Sequence, residues 1–127
     1  MMACSAVGDS IALGIAQTFH CREYAVVGRS SGSIFAHAPR VIGGVAYLSA
    51  GSNDPYDVQL TANLEGIRAK LGAEKVVWII PYNRHTAAKV LAVARAHGDG
   101  FIDLIRYPGK PPHPVYSTLP IHRRARS

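Results

Sequence analysis

The most constraining feature of the sequence is an apolar run at residues 76–80, Val-Val-Trp-Ile-Ile, which is mostly β-branched and ends at Pro81. A strand that is apolar on both faces is typical of a parallel sheet covered by helices on two sides. Similar runs precede and follow it, and between them apolar residues recur with helical spacing. This alternation predicts a three-layer α/β/α domain with a parallel sheet of about five strands.

The same patterns predict where the individual elements lie. We expect strands at residues 4–8, 24–27, 44–49, 76–80 and 101–105. We expect helices at residues 11–19, 57–71 and 86–97, a short helix within residues 30–37, and another after the proline-rich loop near the end of the chain. In such sheets a site lies beyond the carboxyl ends of the strands, so the loops that follow the strands are the ones to inspect.

Length and composition limit the classes of protein. The 127 residues suit a single domain, residues 1–127, and the apolar fraction of 48% with 17% charged residues excludes a disordered chain. The net charge of +6 comes mostly from residues 104–127, a basic C-terminal tail that contains no acid and ends with Arg123, Arg124 and Arg126. No aromatic residues interleave these arginines to stack on bases, so we expect no nucleic-acid partner.

Other patterns argue against a membrane, a metal or a cofactor. No apolar run is long enough to span a membrane, and the first residues lack a signal-peptide layout, which predicts a cytoplasmic protein with no membrane partner. We expect Cys4 and Cys21 to be small buried apolar side chains, because two cysteines do not make a disulfide framework. No group of residues has metal-ligand spacing, and residues 28–32 lack the pattern of a phosphate loop. The sequence therefore implies no cofactor.

Four residues with complementary chemistry follow different predicted strands. They are Ser10, Gly28, Asn53 and, in the loop after the fifth strand, His113. A serine at a helix N-terminus becomes a nucleophile when an imidazole accepts its proton. The backbone N–H groups of Ser10 and Gly28 and the amide of Asn53 are suited to stabilise the oxyanion that forms when an ester is attacked.

These residues resemble the sequence blocks of the SGNH, or GDSL-type, hydrolases. The Gly8-Asp9-Ser10 turn is similar to the first block, Gly28 to the glycine of the second, and Gly51-Ser52-Asn53-Asp54 to the Gly-x-Asn-Asp of the third. His113-Pro114, with Tyr116 shortly after, resembles the end of the last block. The resemblance covers nearly the whole chain. It implies a flavodoxin-like layout with Ser10 as nucleophile, His113 as base, and Gly28 and Asn53 in the oxyanion hole.

The last block departs from the family pattern at one position. The family usually has an acid three residues before the histidine, and this chain has Lys110 there. Three alternatives stay open: His113 works with Ser10 as a dyad while a backbone carbonyl holds its ring, Asp103 supplies the acid from the fifth strand, or the enzyme is feeble and retained for binding. His85, after the fourth strand, is the best rival to His113 as the base.

The resemblance implies a serine esterase that works through an acyl-enzyme. A small chain with no obvious lid suits a small acyl group, such as acetyl, on a carbohydrate or another soluble carrier. The alternative is a catalytically weak or inactive binding domain on the same fold, because Lys110 replaces the usual acid. We expect the acids that neighbour the motif residues, Asp9 and Asp54, to be structural.

Overall fold

The computed structural model describes residues 3–40 and 44–121 of the chain. The main sheet consists of β1 (Cys4–Gly8), β2 (Arg22–Ala25), β3 (Val45–Ser49), β4 (Lys75–Ile80) and β5 (Gly100–Asp103). The helices are α1 (Ser10–Phe19), α2 (Ser31–His37), α3 (Leu60–Lys70) and α4 (Arg84–Ala96). After β5 come a 3-10 turn (Leu104–Arg106), a small hairpin of β6 (Gly109–Lys110) and β7 (His113–Pro114), and a second 3-10 turn (Tyr116–Thr118).

The five main strands are all parallel, in the order β2-β1-β3-β4-β5. The chain adds β2 on one side of β1 and then returns to add β3 on the other. The connections therefore diverge at the carboxyl ends of β1 and β3, and the crevice that this creates is where open α/β sheets bind ligands. The predicted α/β fold with a five-stranded parallel sheet is confirmed.

Two apolar layers cover the sheet. On one face α2, α3 and α4 pack through residues such as Ile34, Leu64 and Val90 against the buried side of β4, where Trp78 is fully enclosed. On the other face α1 packs together with the segment that follows β5, which contributes Leu119. None of the helices in the described ranges is long and apolar enough to cross a membrane.

The second strand ends earlier than its sequence predicts. Residues 24–27 look like a strand, but β2 ends at Ala25, and Val26 and Val27 are 47% and 67% exposed. The reason is the length of its partner, because Gly8, the last residue of β1, pairs with Ala25. One further hydrogen bond, from Val26 N to Gly8 O (3.1 Å), ends the ladder.

The end of the chain also differs from the prediction. The fifth strand stops at Asp103, whose carboxylate accepts a hydrogen bond from Ile105 N (3.3 Å) and begins a 3-10 turn instead of two more strand residues. The hairpin of β6 and β7 was not predicted, and it pairs Lys110 directly with His113. Its strands have two residues each, too short for any alternating pattern to show in the sequence.

The prediction for the cysteines is half right. Cys4 and Cys21 are both buried, as expected, but they are joined by a disulfide and are not free thiols. Cys4 begins β1 and Cys21 directly precedes β2, and the starts of neighbouring parallel strands lie side by side. That adjacency of two predicted strands was the signal in the sequence for this pairing.

Candidate active site

A tight turn at the carboxyl end of β1 presents Ser10. Gly8 has φ +137°, and a Cβ at this position would collide with the carbonyl oxygen of Ser49 on β3. The turn continues with a hydrogen bond from Asp9 N to Ser49 O (3.2 Å), and Ser10 is then the first residue of α1. The close approach of β1 and β3 is possible because residue 8 is glycine. Ser10 therefore lies half-buried at the crevice between these two strands.

Asp9 is the N-cap of the helix that begins with Ser10. Its Oδ1 accepts a hydrogen bond from Ile11 N (3.1 Å), whereas its buried Oδ2 has no hydrogen-bond partner. Burial raises the pKa of Asp9 to about 6, although the Ser49 side chain and the first amides of the helix act in the opposite direction. The role of Asp9 is structural, as predicted, but the specific role of N-cap was not predicted for it; its carboxyl group also adds a titratable group beside Ser10.

The loops after β2 and β3 meet beside this turn. Gly28 is exposed in the left-handed region, with φ +79°. Asn53 is exposed as well, and its Nδ2 donates a hydrogen bond to the carbonyl oxygen of Arg29 (3.1 Å). An amide NH₂ has two hydrogens, so this bond holds the Asn53 side chain and leaves one donor for a ligand. The structure thus joins the loops that carry Gly28 and Asn53.

Asp54 has a structural part in the same loop. Its carboxylate accepts hydrogen bonds from the backbone N–H (2.9 Å) and the hydroxyl of Ser31, the first residue of α2. Asn63 on α3 donates to the same Ser31 hydroxyl (3.0 Å). This network fastens the β3 loop to two helices and so fixes the position of Asn53 next to Arg29.

His113 is connected to α1 through Tyr116. The Nδ1 of His113 is hydrogen-bonded to the Tyr116 hydroxyl (2.6 Å). The Tyr116 ring lies against Gly14, where any larger side chain would collide with it. Gly14 is one helical turn beyond Ser10 on the same helix, so the histidine loop packs on the helix of the candidate nucleophile. The structure records no direct hydrogen bond between the Ser10 hydroxyl and His113 in the ranges it describes.

Asp103 is engaged elsewhere. Both of its carboxylate oxygens accept hydrogen bonds from the Arg84 guanidinium, at 2.9 and 3.0 Å. Burial alone would raise the pKa of Asp103, but the hydrogen bonds from Arg84 and from Ile105 N outweigh it and hold the pKa below its usual range. Among the described residues no hydrogen bond joins Asp103 to His113, so the alternative in which Asp103 orients the imidazole gains no support from the structure.

His85 is likewise separate from Ser10. It lies exposed in the first turn of α4, on the opposite face of the sheet from α1, and its ring stacks on Tyr56 at 5.1 Å between centroids. Of the two histidines that the sequence offers as the base, the structure ties only His113 to the helix of Ser10.

A shallow groove of about 320 Å³ lies beside these loops. Its walls are mostly apolar, and the residues that line it are Ser52, Pro81, Tyr82, Asn83, Pro111 and Pro112. Two of these residues are chain neighbours of candidate site residues, Ser52 of Asn53 and Pro112 of His113, although neither candidate lines the groove itself. Sequence analysis did not identify the groove, because its prolines belong to loops that are distant in the chain.

The basic tail and the possibility of a metal site are the remaining features that the sequence analysis considered. The arginines of the basic tail, Arg123, Arg124 and Arg126, lie outside the described residues. Within residues 3–40 and 44–121, no three His, Cys, Asp or Glu side chains come together as metal ligands would. Neither a model of a known protein family nor any curated protein matches this chain.

Proposed function

We propose that this protein is a serine esterase of the SGNH type. The observation that carries the proposal is the connection of His113 to the helix that begins with Ser10, through Tyr116 packed on Gly14. The contact between the loops of Gly28 and Asn53 supports it. A nucleophile, a base and oxyanion donors from separate loops are the parts that acyl transfer needs.

In this mechanism the Ser10 Oγ attacks the acyl carbon of an ester, and the Nε2 of His113 accepts the hydroxyl proton. The tetrahedral oxyanion receives hydrogen bonds from the N–H groups of Ser10 and Gly28 and from the Asn53 Nδ2. The intermediate collapses as His113 returns the proton to the departing alcohol, leaving an acyl-Ser10 ester. Water then attacks this ester with His113 again as the base, and the carboxylic acid and free Ser10 are released.

The groove suggests the chemistry of the acyl group. Its mostly apolar, proline-rich walls, which include Ser52 next to Asn53 in the chain, suit an apolar acyl group, and the small size of the chain favours a short one such as acetyl. The alcohol part extends into solvent, which is compatible with a carbohydrate or another soluble carrier. The chemistry uses side chains and water alone and requires no cofactor.

A binding domain without catalysis is the second candidate. It is favoured by one observation: no carboxylate within the described residues is hydrogen-bonded to His113, and Lys110 lies opposite it in the hairpin. In a serine-protease triad, removal of the orienting acid costs about 10⁴-fold in rate. A chain with so weak a base would hold an ester or a sugar in the groove without cleaving it.

A fluorophosphonate probe separates the two candidates, because it labels only an activated serine. We expect the wild-type protein to be labelled and to hydrolyse p-nitrophenyl acetate faster than esters of longer acids. Ser10→Ala should abolish both signals, whereas Ser33→Ala, in an early turn of α2, should leave them unchanged. Absence of labelling in a folded wild-type protein would leave the binding domain as the better description.

The location of the protein stays a prediction. The sequence patterns predict the cytoplasm, whereas the disulfide between Cys4 and Cys21 favours an oxidising compartment. Structural disulfides persist mainly outside the reducing cytosol. Quantifying free thiols in protein extracted under alkylating conditions distinguishes the two.

A further inference from the structure

In the hairpin that carries His113, a lysine stands at the position where the SGNH hydrolases usually have an acid, three residues before the histidine. Lys110 and His113 are a directly opposed pair of β6 and β7, and both are exposed. Directly opposed side chains of an antiparallel pair have Cβ atoms about 4.5–5.5 Å apart and lie on the same face. A carboxylate at position 110 would therefore reach the imidazole, but an ammonium group cannot accept its N–H.

The Tyr116 hydroxyl occupies the hydrogen-bonding position that this leaves open. It lies 2.6 Å from His113 Nδ1, a short distance for such a bond. Its ring is held from below by Gly14 of α1, and the 3-10 turn of Tyr116–Thr118 is closed by a hydrogen bond from Leu119 N to Tyr116 O (3.1 Å). Leu119 is buried in the core beneath α1 and anchors the turn. The tyrosine is thus fixed, whereas the histidine that it contacts is exposed.

We propose that Tyr116 is a positioning residue for His113 and takes the place of the missing acid. The proposal rests on the esterase function. For Nε2 to accept the proton of Ser10, Nδ1 must carry the ring hydrogen. In the proposed arrangement the Tyr116 oxygen accepts this hydrogen, with its own O–H turned away from the ring, and so stabilises this tautomer. The hydroxyl also limits rotation of the ring about its bond to Cβ.

Tyr116 acts as a neutral group. Burial, together with the charges of Asp9 and Tyr82, raises its pKa to about 12, so the phenol keeps its proton at any working pH. A neutral oxygen orients the ring but supplies no full negative charge to the imidazolium that forms during attack. Its contribution to the rate is therefore smaller than that of a carboxylate.

Tyr116→Phe tests the proposal, since it keeps the ring on Gly14 and removes only the hydroxyl. We expect kcat to fall about 3- to 10-fold, the effect of losing one neutral hydrogen bond, with KM and thermal stability nearly unchanged. Tyr107→Phe is the matched control, because Tyr107 is partly buried on the same face and its hydroxyl makes no hydrogen bond to a described residue. Equal kcat values for wild type and Tyr116→Phe would overturn the proposal.

The tautomer of His113 provides a readout that does not depend on activity. Side-chain ¹⁵N chemical shifts in alkaline buffer should show the Nδ1–H form in the wild type and a mixture dominated by the Nε2–H form in Tyr116→Phe. An unchanged tautomer would contradict the positioning role even if kcat falls. If the wild type is neither labelled nor active, the esterase function fails, and the chemical shifts alone decide whether Tyr116 orients His113.

A rescue experiment uses the opposed lysine. Lys110→Asp in the Tyr116→Phe background should restore kcat to at least the wild-type value, because the carboxylate reaches the imidazole from the opposite strand. Lys110→Asn in the same background removes the charge without adding a strong acceptor and should restore little. Failure of the aspartate to raise kcat above the asparagine would contradict the idea that Nδ1 needs an acceptor.

Discussion

At the scale of single residues, Asp9 shows how the turn before Ser10 combines a structural benefit with an electrostatic cost. Its Oδ1 caps α1, while its Oδ2 is buried without a partner. Because burial raises its pKa from 3.8 to about 6, the folded protein binds the proton more tightly than the unfolded chain does. The contribution of Asp9 to stability is therefore fully present below about pH 4 and is lost as the pH rises through 6.

Asp9→Asn should remove this dependence, because asparagine caps a helix about as well and carries no charge. The free energy of unfolding of the variant relative to the wild type should rise by about 3 kcal/mol between about pH 3 and pH 8, from 1.36 kcal/mol per pKa unit. Urea denaturation of both proteins across this range measures the difference. A difference that is constant with pH would show that the Asp9 carboxyl titrates as it does in the unfolded chain.

For Asn53, enzyme kinetics can distinguish a role in the oxyanion hole from a role in substrate binding. Its Nδ2 is held by Arg29 O, and an oxyanion donor is needed only when charge develops on the substrate. Asn53→Ala should lower kcat by about 10²–10³-fold with a smaller change in KM. Gln59→Ala, exposed at the far end of the same loop, is the control. A variant that changes only KM would assign Asn53 to substrate binding instead.

At the scale of secondary-structure elements, Asp99 connects three parts of the fold. It lies between α4 and β5 and accepts two hydrogen bonds from Arg68 of α3, at 2.7 and 2.9 Å. It accepts a third from the indole N–H of Trp78 in β4 (2.9 Å). Burial raises the pKa of Asp99, but these hydrogen bonds from Arg68 and Trp78 outweigh it and lower the pKa overall. The residue thus holds α3 against the end of the sheet that lies opposite the candidate site.

Asp99→Asn should lower the free energy of unfolding by about 1.5–3 kcal/mol near neutral pH, the range for hydrogen bonds to a charged group. The lowered pKa means that this stabilisation is present above about pH 4 and is lost as the pH falls and the carboxylate protonates. The gap between the two proteins in urea denaturation should therefore close in acid. Glu74→Gln, a control at an exposed acid for which the structure shows no such hydrogen bonds, should change the free energy of unfolding little.

At the scale of the whole molecule, the parallel sheet places the disulfide and the candidate site at opposite ends of its strands. The disulfide between Cys4 and Cys21 joins the amino ends of β1 and β2, whereas Ser10, Gly28 and Asn53 follow the carboxyl ends of their strands. A crosslink between residues that are 17 apart in the chain restricts the conformations of the unfolded chain. It places no constraint on the loops at the carboxyl ends of the strands.

Replacement of both cysteines by alanine should lower the free energy of unfolding by about 3 kcal/mol, the chain-entropy value for a loop of this size. Esterase activity below the unfolding transition should be unchanged. A reducing agent should bring the wild type to the stability of the variant and leave the variant unaffected. A loss of activity in the folded double variant would show that the amino ends of the strands influence the site.

The sequence alone predicted the five strands of the main sheet and its four helices, though not the ends of β2 and β5, the small hairpin or the 3-10 turn found where a last helix was expected. It also identified Ser10, Gly28, Asn53 and His113 as candidates. These properties depend on local physics, since the alternation of apolar residues encodes which face is buried, and a glycine turn or a helix cap involves neighbours in the chain. The order of the strands in the sheet cannot be read directly from the sequence. However, only a few sheet topologies are possible when buried parallel strands are joined by helices.

The tertiary structure alone decided which distant side chains are partners. Asp103 is the last residue of a strand that ends at the same edge as the candidate site, yet Arg84 binds it, and His113 pairs with Tyr116 instead of a carboxylate. The disulfide between Cys4 and Cys21 and the groove between the proline loops likewise depend on packing. The physical reason is that several partners compete for each polar group, and only the folded positions of the side chains determine which one is within hydrogen-bonding distance.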